Sequence, residues 1–361
     1  MKRHLFFAAL FVIFFISFSS RPATTASAKE NWIGVRSKNF LLVGNAGEKE
    51  IRKVATKLEQ FREIFSKLFP KANLNSSVPI TVVVFKNRAA YRPFMPVYQG
   101  RISEVAGYFQ PGPDVHYITL TAEMSEVNPF GTIFHEFVHA LTSDNTFQSP
   151  PWFSEGLAEY YSTFEVTDGE KKVWLGKPIG HHVLLLRENK FLPLPRLFAV
   201  DHASPEYNES DKKGVFYAQS WALVHYLLLG NNARRQPQFL RYMELLANGT
   251  PVGESFQQAF QTDFATIEKE LRDYIGRSSY PAQYFTSDQK MEFDTTMQTL
   301  PVSEAESQYY LGDLVLQQGQ LRLRRLELCL RPRHVFRTRS KFGQAQCFAL
   351  LRDLRLDRKS T

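Results

Sequence analysis

Cysteine is nearly absent from this chain: two residues in 361, Cys329 and Cys347, both near the C-terminus. A body without cysteine is neither stapled by disulfides nor built around thiolate metal ligands. One late bridge between the two would suit an oxidising compartment, and nothing else requires it. Long apolar runs are missing after the first 30 residues, which excludes a later membrane-spanning helix of about 20 apolar residues. A net positive charge is missing from the body too. The net charge is +8, yet residues 320–361 hold 12 Arg/Lys against 3 Asp/Glu, so the rest of the chain is near −1. A nucleic-acid-binding domain needs an electropositive face on the folded body, so nucleic acid is not expected as a partner. The basic tail can meet anionic lipid or another polyanion as a peripheral contact, although a solvated end is the simpler account and the one favoured.

What is present begins with an export signal. Lys2 and Arg3 precede an almost wholly apolar run from Leu5 to Phe18, and Ala26-Ser27-Ala28 follows with the small-x-small pattern of a cleavage site. This reads as a signal peptide over residues 1–28, with an uncleaved anchor as the alternative. Either way the remainder is expected to be exported, periplasmic or secreted.

The periodicity then predicts an α+β protein. "NWIGVRSKNFLLVGNA" reads as strand, and Ile51, Val54, Leu58, Phe61, Ile64 and Phe65 recur at helical spacing until Pro70. "VPITVVVFKN" is a β-branched strand, and "SEVAGYFQPGPDVHYITLTAEM" is two strands joined by a Gly/Pro turn. This is a small mixed sheet. From Pro129 the pattern is mostly helical, with a loop-rich stretch at 183–215. Residues 29–277 are expected to form the main domain and 278–300 a linker. Residues 301–361 are expected to give a repeat-like helical hairpin and the basic tail.

The chemistry concentrates in "GTIFHEFVHALTSDNTFQSPPWFSEGLAEYY", residues 131–161. Side chains four apart share a helix face, so His135 and His139 can bring two ring nitrogens to one ion. Glu136 lies beside that ion, placed to deprotonate an activated water. An innocent amphipathic helix can carry the same residues on its wet side. Phe134, Phe137, Val138 and Leu141 nevertheless put the histidines next to buried surface, where imidazoles need partners. A catalytic zinc takes three protein ligands. Chain reversal after His139 would lay the next helix against the first and aim Glu155 at the pair, with Gly156 leaving room for close helix contact. Glu159, on the same face as Glu155, is better placed to accept the second N–H of a ligand histidine.

"HEFVHALT" followed by "PPWFSEGLAEYY" resembles the gluzincin zinc metallopeptidases, and more narrowly the bacterial peptidase-MA-like family. The resemblance covers roughly residues 31–275, including "FYAQSWALVHYLL". It implies Zn²⁺ on His135, His139 and Glu155, Glu136 as general base, and hydrolysis of peptide bonds in a polypeptide substrate. Related enzymes stabilise the oxyanion with a Tyr or His from a later helix. Tyr217 is the first candidate here, His225 the second, and Tyr160 and Tyr161 remain open. The stretch Glu104 to Gly112 is expected to form the sheet's edge strand along the cleft, able to hold an extended peptide by its backbone.

"AESQYYLGDLVLQQGQ" is similar to the first helix of a tetratricopeptide repeat, but the Arg-rich continuation departs from that pattern. One such repeat forms no array; at most it offers a hairpin for a protein partner. Two other readings stand beside the peptidase. One is a non-catalytic, zinc-stabilised binding or scaffold protein of the envelope, which has no use for Glu136. The other is a structural protein with an incidental His/Glu cluster, which would hold no metal.

Overall fold

Strand β1 (Ile33–Arg36) turns back into β2 (Leu41–Gly44), and the two pair antiparallel, Ile33 opposite Gly44. The chain is described from a computed structural model, which covers residues 31–69, 74, 76, 78–123, 128–143 and 149–319; side chains at 143 and 210–213 are excluded. The expected signal peptide, the second half of the repeat-like segment, the basic tail and both cysteines lie outside these residues.

Helix α1 (Glu48–Leu68) follows, and the six apolar positions read from the sequence are all buried on one side of it. Next come β3 (Ile80–Phe85), the single turn α2 (Arg88–Tyr91), and the two-residue strands β4 (Val97–Tyr98) and β5 (Arg101–Ile102). Strands β6 (Gly107–Gln110) and β7 (His116–Thr121) form the hairpin expected at the Gly/Pro turn.

The helical half opens with α3 (Gly131–Ser143) and α4 (Pro151–Ser162). Strands β8 (Glu165–Thr167) and β9 (Lys172–Leu175) interrupt it. The stretch expected as loop contains the short helices α5 (Gly180–Glu188), α6 (Leu194–Phe198) and α7 (Pro205–Asn208). Each is too short for a helical period to stand out, and α6 and α7 each carry a proline, Pro195 and Pro205, in the first turn. Helix α8 (Ser210–Ala233) leaves helical geometry at Gly230–Asn232. Helices α9 (Gln236–Ala247), α10 (Val252–Phe260) and α11 (Phe264–Ile275) complete the bundle. Among the described residues no helix is long and apolar enough to cross a membrane.

The segment expected as a linker is not one. It supplies β10 (Gln283–Thr286), paired to β9 in a three-stranded sheet, and leads into β11 (Gln298–Pro301), paired to β1. The final helix α12 (Glu304–Gln317) starts from a capping box in which Ser303 and Glu306 exchange hydrogen bonds. The main sheet therefore runs β11-β1-β2-β3-β7-β6, parallel only between β2, β3 and β7. One face carries Val35, Leu42, Val82, Val84, Ile118 and Leu120 into the core shared with α1 and α3. The other carries Val43, Val83, Phe85 and Tyr117 into a second cluster with Trp32 and with Leu314 of α12. The fold is α+β, and β6 is its edge strand on the side of the helical half.

Candidate metal centre

Helix α3 is anchored by aromatic packing. Phe134 stacks on Phe61 of α1 at 5.0 Å, and Phe137 meets Phe40 edge-on at 5.1 Å. Each buried phenyl contributes about 1.5–3 kcal/mol of burial. With Phe134 and Phe137 facing the core, the other side of α3 presents His135, Glu136 and His139 to a cleft of about 1660 Å³. The cleft is bordered by Gly107, Tyr108 and Phe109 of β6, as the expected edge strand required.

Helix α4 brings the third group. Nε2 of His135 and Nε2 of His139 are 3.1 Å apart, and Oε2 of Glu155 lies 3.2 and 3.3 Å from them. These residues can hold a metal ion: each offers one ligand atom, and the atoms lie within 4.8 Å of one another. The triangle also fits a particular metal chemistry. Bonds of about 2.0–2.1 Å at tetrahedral angles place neighbouring ligand atoms about 3.3 Å apart. Oε2 of Glu155 is buried with no hydrogen bond aligned to it, although both imidazoles are within reach. A buried carboxylate oxygen so placed is a ligand atom in want of a cation.

The electrostatics agree. Burial would raise Glu155, but His139 and then His135 outweigh it and hold the carboxyl well below its usual range. Burial would lower His135, but the contact with Glu155, the charge of Glu159 and the charge of Glu136 raise it to about 9. Three carboxylates around two imidazoles make a field that favours positive charge, whether a proton or a metal ion. Glu136 is different. It is 8 % exposed, and burial raises its carboxyl despite the two histidines, while the Phe109 backbone N–H donates to it.

Further polar groups stand behind the three residues. Nδ1 of His139 is 3.2 Å from Oγ of Ser154, and Nδ1 of His135 is 3.5 Å from Oε1 of Glu159. Glu159 thus stands where the helical spacing put it, and its other oxygen, Oε2, is 3.3 Å from Nε2 of His182. The Tyr207 hydroxyl donates to Oε1 of Glu155 at 2.6 Å, and the Tyr217 hydroxyl bonds to Tyr207 in turn. The Tyr217 ring lies parallel to that of His135, 6.2 Å away, and lines the cleft.

The other oxyanion candidates face elsewhere. His225 is fully buried, with its ring nitrogens on the Tyr274 hydroxyl at 2.7 Å and the Gly176 carbonyl at 2.8 Å. The Tyr160 hydroxyl donates to Gln283, and Tyr161 packs against Phe65 and Phe69. The sequence reading missed Ser154, Tyr207 and His182. Ser154 could have been found from its place beside Glu155. Tyr207 and His182 lie in α7 and α5, and no spacing rule links either to α4.

Residues 130–253 match a family described as "Protein of unknown function (DUF1570)". The matched span, roughly a third of the chain, runs from the residue before α3 to the start of α10. It holds His135, Glu136, His139, Glu155, Glu159, Tyr207 and Tyr217. A comparison with curated proteins finds no match.

Proposed function

We propose that the protein is an exported or envelope-associated zinc peptidase that hydrolyses peptide bonds in a polypeptide substrate. The observation that carries the reading is the triangle of His135, His139 and Glu155 with a buried, upward-shifted Glu136 beside it. Zinc held by the three residues supplies Lewis acidity to a substrate carbonyl and to water.

The chain's own residues do the rest. Glu136 takes the proton of the attacking water as the new C–O bond forms. It then gives that proton to the amine as the C–N bond breaks. A carboxyl raised above its ordinary value holds a proton more readily, and burial raises Glu136 in this way. Tyr217 is the donor for the oxyanion once its hydroxyl turns from Tyr207 to the substrate, since Tyr207 is committed to Glu155. The edge strand β6 offers backbone groups along the cleft for an extended peptide of little side-chain specificity. A scaffold that merely used zinc for stability would have no need of Glu136 at this place.

The test is Glu136→Gln in the mature protein. Wild type is expected to bind one zinc and to digest an unfolded protein substrate in a chelator-sensitive way. The variant is expected to keep the zinc and lose about 10²–10⁴-fold in rate. Equal rates for the two proteins would remove Glu136 as the base.

A further inference from the structure

Glu159 is held at both ends. One oxygen faces Nδ1 of His135 at 3.5 Å, and the other faces Nε2 of His182 at 3.3 Å. A glutamate has three rotatable bonds, and a contact of 3.5 Å at one oxygen is too long to fix its carboxylate alone. Glu155 sits one turn away on the same helix, and its charge repels Glu159. Without a second anchor the Glu159 carboxylate has reason to swing toward the open cleft that it also lines.

His182 is placed to be that anchor. It is 6 % exposed, and its ring packs against that of Trp221, a fully buried residue of α8, at 5.7 Å. Both of its ring nitrogens are buried with no aligned hydrogen bond, and Glu159, 3.3 Å from Nε2, is the carboxylate its ring approaches. A histidine buried without aligned hydrogen bonds costs stability, and the Glu159 carboxylate beside Nε2 is the group that offsets that cost.

We infer that His182 is a positioning residue for the metal centre, which rests on the zinc reading above. By holding the far oxygen of Glu159, it keeps the near oxygen on Nδ1–H of His135. That keeps the Nε2 lone pair of His135 directed at the site shared with His139 and Glu155. His182 touches neither substrate nor ligand triangle; it acts through Glu159.

Two replacements separate the contact from mere packing. The amide nitrogen of Gln falls near Nε2 of a histidine, whereas that of Asn falls near Nδ1. His182→Gln therefore keeps a donor on Glu159, and His182→Asn removes it. The measurements are zinc affinity by competition with a chromophoric chelator, and the visible spectrum of the cobalt(II)-loaded protein. His182→Gln is expected to stay within about 3-fold of wild type, and His182→Asn to bind zinc about 10-fold more weakly with a shifted cobalt spectrum. Glu159→Gln should weaken zinc at least as much as His182→Asn. Wild-type affinity in both His182 variants, or an equal loss in both, would overturn the inference while leaving the zinc reading intact. A wild-type protein that binds no zinc would overturn the reading itself.

Discussion

The two oxygens of Glu155 have separate employment: Oε1 accepts from Tyr207, and Oε2 faces the two imidazoles. The division fixes the carboxylate plane, and it makes Tyr207 the residue on which the orientation of Glu155 depends. Tyr207→Phe removes a short hydrogen bond to a buried charge, a loss of about 1.5–3 kcal/mol. We expect zinc to bind about 10-fold more weakly in this variant, checked by chelator competition. Tyr217→Phe should leave that affinity nearly unchanged. At this scale the sequence was readable where one helix does the positioning. The spacing of His135, His139 and Glu136 sets their directions through α3 alone, and Glu159 follows from Glu155 by one turn of α4. Tyr207 arrives from 52 residues beyond Glu155. Only the packing of α7 on α8 aims it, and no local pattern encodes that.

Helix α4 is the element that brings the site together, and its neighbours differ in part from expectation. It does lie beside α3, but the close approach that Gly156 permits is to α8. A Cβ on Gly156 would stand 2.4 Å from the carbonyl oxygen of Ser220 and 2.7 Å from Cγ2 of Val224. Gly156→Ala must push α4 off α8, at about 1–3 kcal/mol. Because Glu155 is the adjacent residue, the same shift should weaken zinc binding. Denaturant unfolding and a zinc titration on one sample test both effects together. A second clasp, His225, ties α8 to the Gly176 carbonyl and to Tyr274 of α11. Burial lowers His225 from 6.5 to about 4. The unfolded chain therefore takes up this proton first as pH falls. The stability tied to the neutral ring is full above pH 6.5 and is lost as pH falls to about 4, at most about 3 kcal/mol. The raised carboxyl of Glu136 works in the opposite direction, so the comparison must be between chains that share it. His225→Gln should flatten the stability profile between pH 4 and 6.5 relative to wild type. Parallel profiles would mean that His225 takes up its proton at the same pH in the folded and the unfolded chain.

Across the whole molecule, the C-terminal stretch belongs to the fold that carries the site. Its composition suggested a linker because β10 and β11 are short and four of their residues are exposed on one strand. Neither strand alternates over enough residues to declare itself. Their partners β9 and β1 lie more than 100 residues earlier in sequence, beyond any local signal. The pairing has a mechanical consequence. Strand β11 covers the outer edge of β1, and α12 covers the sheet face opposite the core of α1 and α3. The Asp313 carboxylate accepts from the Tyr117 hydroxyl at 2.9 Å, and Leu314 is fully buried with Trp32 and Phe85. A chain ending at residue 277 would therefore uncover Val43, Phe85 and Tyr117 and free the edge of β1. Losing Leu314 from that cluster alone is worth about 2–5 kcal/mol. Compared with a chain ending at residue 319, the shorter one should melt on the order of 10 °C lower and bind a hydrophobic dye before it unfolds. Every residue of the metal centre remains in the shorter chain, so its zinc affinity reports how far the sheet supports the site. If the two chains melted together, α12 and β11 would be an appendage. If the shorter one melted early and also bound zinc weakly, the sheet would be holding β6 and α3 in register through β7, β3, β2 and β1.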